Sequence, residues 1–276
     1  MFSTCMTTMR DFESEWYLKW KSHLEFSDRI HRKFWEIAIV SETLESQGKL
    51  CRGMKGVGFG VGSESLAITF ADRVERILAT DLLPDDWQET HHGFFTLGQH
   101  PRIENRIVDM NWINGESGKG AVEAGEYDFS WSVCSMDHCG KVWWTKRFLL
   151  NQMNCLRHGG VGVHTAEYTI NVGMPRDGTT VWLTRDDVVD VVQLLTWLGH
   201  DVAPIDWFIG DRFEDHGIDC FPYNGNCHIK TEAHGRWGTC ICFCVRKNGA
   251  EKFWVPIDET EARAAIAKYH LSHSQA

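Results

Sequence analysis

The chain has 276 residues, 43% hydrophobic and 24% charged, with a net charge of −10, the make-up of a globular protein with a sizeable core. That charge argues against a broad electrostatic surface for nucleic acid, and no run of about 18 apolar residues is present to span a membrane. The N-terminus, Met1-Phe2-Ser3-Thr4-Cys5, lacks the basic-then-apolar order of a secretory signal, and the ten cysteines include no Cys-x-x-Cys knuckle, so reduced thiols in a cytoplasmic setting are expected and no metal site is.

In chain order, residues 9–47 read as helix in two pieces, because Trp16, Tyr17, Trp20 and Leu24, then Ile30, Phe34, Trp35, Ile37 and Ile39, recur near a 3.6-residue period, with a break at Ser27-Asp28. Strands alternating with helices follow, which predicts an α/β fold: a mostly parallel, seven-stranded sheet with helices on both faces. The first strand is placed at Met54–Phe59, followed by a helix over Ser63–Phe70, and the second at Arg76–Thr80. A polar stretch over 84–103 holds His91, His92 and His100 and has no assignable element. The third strand is placed at Asn105–Val108, the fourth at Tyr127–Val133, and a helix over 141–156. Gly159-Gly160 reads as a turn into a fifth strand at Val161–Thr165. A helix over Arg185–Leu198 is capped by Thr184 and stopped by Gly199. Ala203–Phe208 and Thr239–Val245 complete the sheet. Residues 1–50 are expected to form a helical cap over a domain of residues 51–276.

Ligands of an open parallel sheet lie beyond the carboxyl ends of its strands. Five such ends are polar here: Gly58 to Glu64, Asp81-Leu82, Asp109-Met110, Cys134 to His138, and His164 to Tyr168. A glycine turn after the first strand lets a ligand approach the backbone. An acid about 20 residues on accepts from ribose hydroxyls, which points to an adenosine-type cofactor. The spacing is not that of a dinucleotide site: the sixth position from Gly58 is Ser63, and from Gly60 it is Ser65. Nor is it that of a phosphate loop, since Gly118-Lys119 has Ile113 five residues before the glycine and Gly120 after the lysine.

What remains, Gly58-x-Gly60-x-Gly62, resembles the first motif of class I S-adenosylmethionine-dependent methyltransferases. The resemblance extends through Ala79-Thr80-Asp81, Val108-Asp109-Met110-Asn111, Asp128-Phe129-x-Trp131-Ser132-x-Cys134-Ser135-x-Asp137-His138 and Leu156-Arg157-x-Gly159-Gly160-x-x-Val163-His164-Thr165-x-Glu167-Tyr168. Together with His31-Arg32-Lys33-x-Trp35-Glu36, these segments are similar to a bacterial branch of small-molecule and glycan-associated methyltransferases, over residues 31–246. The resemblance implies S-adenosylmethionine as cofactor. Gly58, Phe59, Gly60, Gly62 and Glu64 would lie along its methionine part. Asp81 and Leu82 would meet the ribose, Asp109 and Met110 the adenine, and Cys134 and Ser135 the sulfonium. One departure is plain: many such enzymes have an acid where this chain has Gly56, a place that Glu64 is expected to fill.

If the acceptor is a hydroxyl, a base must take its proton as the new bond forms, and histidine suits this near neutral pH. His138 and His164 are the candidate bases, with Asp137 and Glu167 placed to orient an imidazole. Glu167 is itself a catalytic candidate beside His164. His31, Arg32, Trp35, Asp137 and Tyr168 are the candidate acceptor contacts. The expected activity is methyl transfer to a small molecule or sugar, at oxygen. The competing readings are a nucleic-acid or protein methyltransferase and a cofactor-binding regulator without turnover.

Overall fold

A computed structural model describes residues 3–62, 64–82, 99–171, 176–223, 225, 227–233 and 235–274. His91 and His92 lie outside the described residues. The N-terminal part holds β1 (Thr4–Met6), α1 (Met9–Phe12), α2 (Glu15–His23), β2 (Ile30–His31) and α3 (Arg32–Ser46). Then come β3 (Lys55–Phe59), α4 (Leu66–Ala71), β4 (Arg76–Asp81), β5 (Ile103–Ile107), β6 (Tyr127–Ser132), α5 (Val142–Asn151) and β7 (Leu156–Thr169). The remainder is α6 (Arg185–Trp197), β8 (Asp201–Val202), β9 (Ile205–Asp206), α7 (Phe213–His216), β10 (Cys227–His228), β11 (Thr231–Ala233), β12 (Arg236–Arg246) and α8 (Glu259–His273).

Ten strands form the main sheet, ordered β5-β4-β3-β6-β7-β12-β1-β9, with β8 and β11 also on β12. From β5 to β7 every pairing is parallel, whereas β12 runs antiparallel to β7. The central strands β3, β4 and β6 are buried nearly throughout, as expected of parallel strands covered on both faces. One face packs on α3 and α4 through Trp35, Ile39, Leu66 and Phe70. The other packs on α5, α6 and α8 through Phe148, Leu149, Val188, Leu195 and Ile266. The chain leaves β3 toward β4 and β5, then returns to place β6 on the opposite side of β3. That reversal opens a crevice beyond the ends of β3 and β6.

Three local outcomes differ from the sequence expectation. First, the N-terminal segment is not helix alone. Thr4–Met6 enters the sheet, with Cys5 opposite Cys242 and Thr4 opposite Ile205. Second, Gly159-Gly160 is no turn. Strand β7 starts at Leu156, and the β6–β7 register slips from Tyr127↔Leu156 to Phe129↔Val161, so the glycines sit in a bulge, with Gly159 at φ +76°. Third, β7 runs on to Thr169, because β12 pairs with it from Arg246↔Val161 to Gly238↔Thr169. The helix over 185–197 starts as expected: the Thr184 hydroxyl accepts from the Asp187 amide, and the Asp187 side chain accepts from the Thr184 amide.

Candidate active site

The bend after β3 is built from glycine for two different reasons. Gly60 and Gly62 have φ of +61° and +50°, a region that L side chains rarely enter. At Gly60 a Cβ would also come within 2.5 Å of the Ser135 Cβ and 3.3 Å of the Met110 Sδ, inside the crevice itself. Gly58 and Gly56 are instead packing glycines: a Cβ would lie 2.4 Å from the Trp131 ring at Gly58 and 2.2 Å from the Phe129 ring at Gly56. The aromatic residues of β6 thus explain why no acid stands at position 56.

Asp81 ends β4 facing that bend. Its Oδ2 accepts from the Gly62 amide at 2.7 Å and its Oδ1 from the Leu82 amide at 2.7 Å, so the carboxylate is locked against the glycine turn. Asp109 caps a short 3-10 turn over Met110–Trp112, accepting from the Asn111 amide at 2.9 Å. Ser135 ties the end of β6 back to β3, its hydroxyl donating to the Phe59 carbonyl at 2.9 Å. Cys134 holds a left-handed φ of +44° while its amide donates to Thr165 Oγ1 at 3.0 Å. A non-glycine residue in that region is held by its surroundings, and such residues gather at functional sites.

These ends enclose a cavity of about 350 Å³ lined by Gly60, Gly62, Asp81, Leu82, Asp109, Met110, Asn111, Val133, Cys134, Ser135, His138 and Cys139. Eight of the eleven residues expected to hold the cofactor line it. Gly58, Phe59 and Glu64 do not. Phe59 is core, edge-on to Phe148. Glu64 accepts from the Trp131 indole N–H at 2.6 Å. Burial pushes its pKa up to about 8, against that hydrogen bond and helped by Asp81, so much of it is protonated near neutrality.

His138 lines the same cavity, its side chain 55% exposed. Its Nδ1 lies 2.7 Å from the Thr179 carbonyl oxygen. A carbonyl can only accept, so Nδ1 carries the hydrogen and the neutral ring keeps its lone pair on Nε2. Asp137 lies on the Nε2 side, its Oδ2 3.7 Å from that nitrogen and its Oδ1 buried and without a hydrogen-bond partner.

A second cavity, of about 390 Å³, adjoins this wall. It is lined by Arg32, Glu167, Asp177, Gly178, Thr179, Thr180, Trp182, Ala233 and Arg236. The two cavities meet at two contacts: His138 with Thr179, and Cys134, whose Sγ is 3.9 Å from Glu167 Oε1. Around the second contact lies a buried charged cluster. Arg32 pairs with Glu167 and donates to Cys240 Sγ at 3.1 Å. Glu36 is fully buried and accepts from the Thr165 hydroxyl at 2.6 Å and the Cys240 thiol at 2.9 Å. Burial alone would raise Glu36, but Lys33, 4.0 Å away, and Arg32 hold it below the usual carboxylate range. Burial raises Glu167, against the pull of Arg32. Sulfur and oxygen atoms of Glu36, Cys134 and Cys240, and of Cys134, Asp137 and Glu167, come within 4.8 Å of one another. Arg32 and Lys33 already supply positive charge there.

Several expected site residues lie elsewhere. His164 is the clearest correction. It is mid-strand and fully buried, with Nδ1 2.8 Å from Ser132 Oγ and its ring edge-on to Phe148. Burial pushes its pKa down to about 3. It is a core imidazole, unable to reach an acceptor. Trp35 is also core, its indole N–H donating to Asp11 at 3.0 Å. Tyr168 packs beside Trp207, and His31 stacks on His228 at 4.4 Å; neither lines either of these two cavities. Arg32 and Glu167 line the second cavity, and Asp137 lies beneath His138. Sequence reasoning missed Arg236 altogether, whose only signal is a basic residue opening the last long strand.

His164 makes a prediction about acid stability. Its folded pKa lies below the unfolded value near 6.5, so its contribution is complete above that value and is lost as pH falls toward 3. Lowering the pH from 7 to 5 should therefore cost about 2 kcal/mol at this residue. Denaturant unfolding at the two pH values checks it: His164→Gln should show a pH penalty smaller by about that amount, and equal penalties would refute the assignment.

No protein-family model matches the chain, and no curated protein matches it. Solved structures do. The YcgJ protein from Bacillus subtilis superposes with a TM-score of 0.50 at 11% identity, covering 78% of this chain and 99% of that one. The 4+2 cyclase SpnF superposes with a TM-score of 0.50 at 14% identity, over 77% of this chain and 82% of that one. An S-adenosylmethionine-dependent methyltransferase from Mesorhizobium loti gives 0.49 at 13% identity, over 74% and 96%. The fold is Rossmann-like, a mostly parallel sheet with helices on both faces, as in the YcgJ and SpnF structures. At these identities the likeness is one of architecture, and the presence of a cyclase among the matches shows that this fold does not by itself name a reaction. Among the described residues, no helix is long and apolar enough to cross a membrane.

Proposed function

We propose that the protein is an S-adenosylmethionine-dependent methyltransferase that acts on a hydroxyl of a small-molecule or carbohydrate acceptor. One observation supports this above the others: the Asp81 carboxylate is held against a left-handed glycine bend in the same cavity as Asp109, Met110, Cys134 and Ser135. The bare backbone at Gly60 leaves the space that a nucleoside thioether needs, since any side chain there would fill the gap between Ser135 and Met110.

S-adenosylmethionine supplies a methyl group on a sulfonium, whose departure needs no proton. The chain then has three tasks. Asp81 would hold the ribose hydroxyls, and Asp109 with Met110 would hold the adenine. The cavity walls exclude water and align the two reactants, which is where much of the rate arises. His138 Nε2 takes the acceptor's hydroxyl proton as the new oxygen–carbon bond forms, and Asp137 stabilises the resulting imidazolium. In this reading residues 1–50 cover the acceptor side, since the first turn of α3 brings Arg32 to the second cavity.

The reading is tested by titrating S-adenosylmethionine and S-adenosylhomocysteine calorimetrically, then screening labelled-methyl transfer over sugars, small hydroxy acids and RNA. Cofactor binding with transfer to a small hydroxyl compound supports it, and absent binding refutes it. A second reading, a cofactor-binding regulator, draws on Gly56, where the ring of Phe129 leaves no room for the usual acid. Tight binding without transfer to any acceptor would favour it. A nucleic-acid acceptor is disfavoured by the net charge of −10.

A further inference from the structure

We infer that the second cavity binds the methyl acceptor through a carboxylate held by Arg236 and Arg32, so that the substrate is a small hydroxy acid. This rests on the methyltransferase reading and specifies its substrate class.

The argument starts from charge that the protein leaves unmatched. Arg236 opens β12 and lines the cavity, yet it has no ion pair among the described residues, and its Nε is buried without a hydrogen-bond partner. Arg32 lines the same cavity. Its terminal nitrogen is engaged by Glu167 and Cys240, but its Nε is likewise buried and unpartnered. Taking a guanidinium out of water is costly unless an anion and its hydrogen bonds replace the solvent. The planar fork of arginine is matched best by a carboxylate, which accepts two parallel N–H bonds.

The other charges in the wall set the ligand's charge and its second group. Glu167 neutralises Arg32, and its other oxygen, Oε2, is buried without a partner. Asp177 keeps its charge, accepting from the Val142 amide at the start of α5 at 2.8 Å, and makes no ion pair with Arg236. Arg236 is thus the guanidinium of this wall with no paired carboxylate among the described residues, and the wall's two acids favour an anion of a single charge. A dianionic phosphate would face both Glu167 and Asp177. The orphan Glu167 oxygen asks for a donor, and the hydroxyl of a hydroxy acid provides one before transfer. Trp182, Ala233 and the Gly178–Thr180 segment complete the wall of this cavity of about 390 Å³. Lining residues of the two cavities touch at His138–Thr179 and Cys134–Glu167, so an acceptor seated here lies against the wall that carries the proposed base.

The test uses the full chain saturated with S-adenosylhomocysteine and four calorimetric probes: 4-hydroxybenzoate, 4-hydroxybenzamide, glucuronate and glucose 6-phosphate. At least one of the two acids should bind, the amide should bind 4-hydroxybenzoate's site at least about 10-fold more weakly, and glucose 6-phosphate should bind more weakly than glucuronate. Arg236→Ala should weaken acid binding by about 10- to 100-fold with S-adenosylhomocysteine affinity unchanged, and Arg236→Lys should recover part of the loss. Unchanged homocysteine-adduct affinity in the variant also certifies that it is folded. Neither acid binding, acid and amide binding alike, phosphate binding more tightly than either acid, or an acid preference that survives Arg236→Ala each overturns the inference. Failure of wild-type protein to bind S-adenosylhomocysteine would instead strike the methyltransferase reading, so the two failures are distinguishable.

Discussion

Asp81→Ala is expected to weaken S-adenosylmethionine binding by about 100-fold or more, since a hydrogen bond to a charged group is worth about 1.5–3 kcal/mol and the ribose offers two hydroxyls. The effect should exceed the simple loss of those contacts. The same carboxylate accepts from the Gly62 and Leu82 amides, so its removal also releases the glycine bend whose shape forms the cavity floor. Asp81→Asn keeps one acceptor oxygen and should fall between the two. Calorimetric affinities for the three proteins decide the matter, and equal affinities would remove Asp81 from the site and with it the cofactor assignment.

His138→Ala is expected to slow methyl transfer to a hydroxyl acceptor by about 10²- to 10⁴-fold, the usual worth of a general base. Cofactor affinity should change little, because His138 borders the cavity at its acceptor end, beside Thr179. The mechanism is specific about the atom. The Thr179 carbonyl fixes the hydrogen on Nδ1 and leaves the Nε2 lone pair to act, with the Asp137 carboxylate 3.7 Å from Nε2 to stabilise the imidazolium. His138→Gln can replace a hydrogen bond but not the base, so it should be nearly as slow as the alanine variant. Single-turnover rates at saturating cofactor, beside calorimetric affinity, separate the roles. Equal loss of rate and affinity would make His138 a binding residue, and no loss of rate would dismiss it.

The contrast between His138 and His164 shows what sequence could and could not convey. Both follow runs of apolar residues that read as strands, and both were placed at a strand end. For β6 the reading of Tyr127–Val133 came within one residue of the observed end at Ser132, so His138 does lie past the rim. For β7 the double glycine reads as a turn and the apolar run as a strand ending at Thr165. The observed strand absorbs the glycines as a bulge and continues to Thr169, because β12 pairs along its whole length. That four-residue difference moves His164 from the rim into the core, between Ser132 and Phe148, and leaves Glu167 near the end. Strand length is set by a partner about 70 to 85 residues away, and no local pattern reports it. The same holds for β1, whose three residues are too few for any periodic signal and whose neighbours, β12 and β9, come some 200 residues later.

The sequence by itself determined the alternation of strands and helices, the glycine bend and the acids at the ends of β4 and β5. These are local: apolar period, the conformational freedom of glycine and the reach of one side chain are written within a few residues. Only the tertiary structure decided which buried charges meet. Arg32 from α3, Glu167 from β7 and Arg236 from β12 are far apart in the chain, and they share a cavity because the β7–β12 pairing and the packing of α3 across it bring their ends together. Their value as a site comes from low exposure and missing partners, and both are properties of the assembled interior, which no segment of the chain possesses alone.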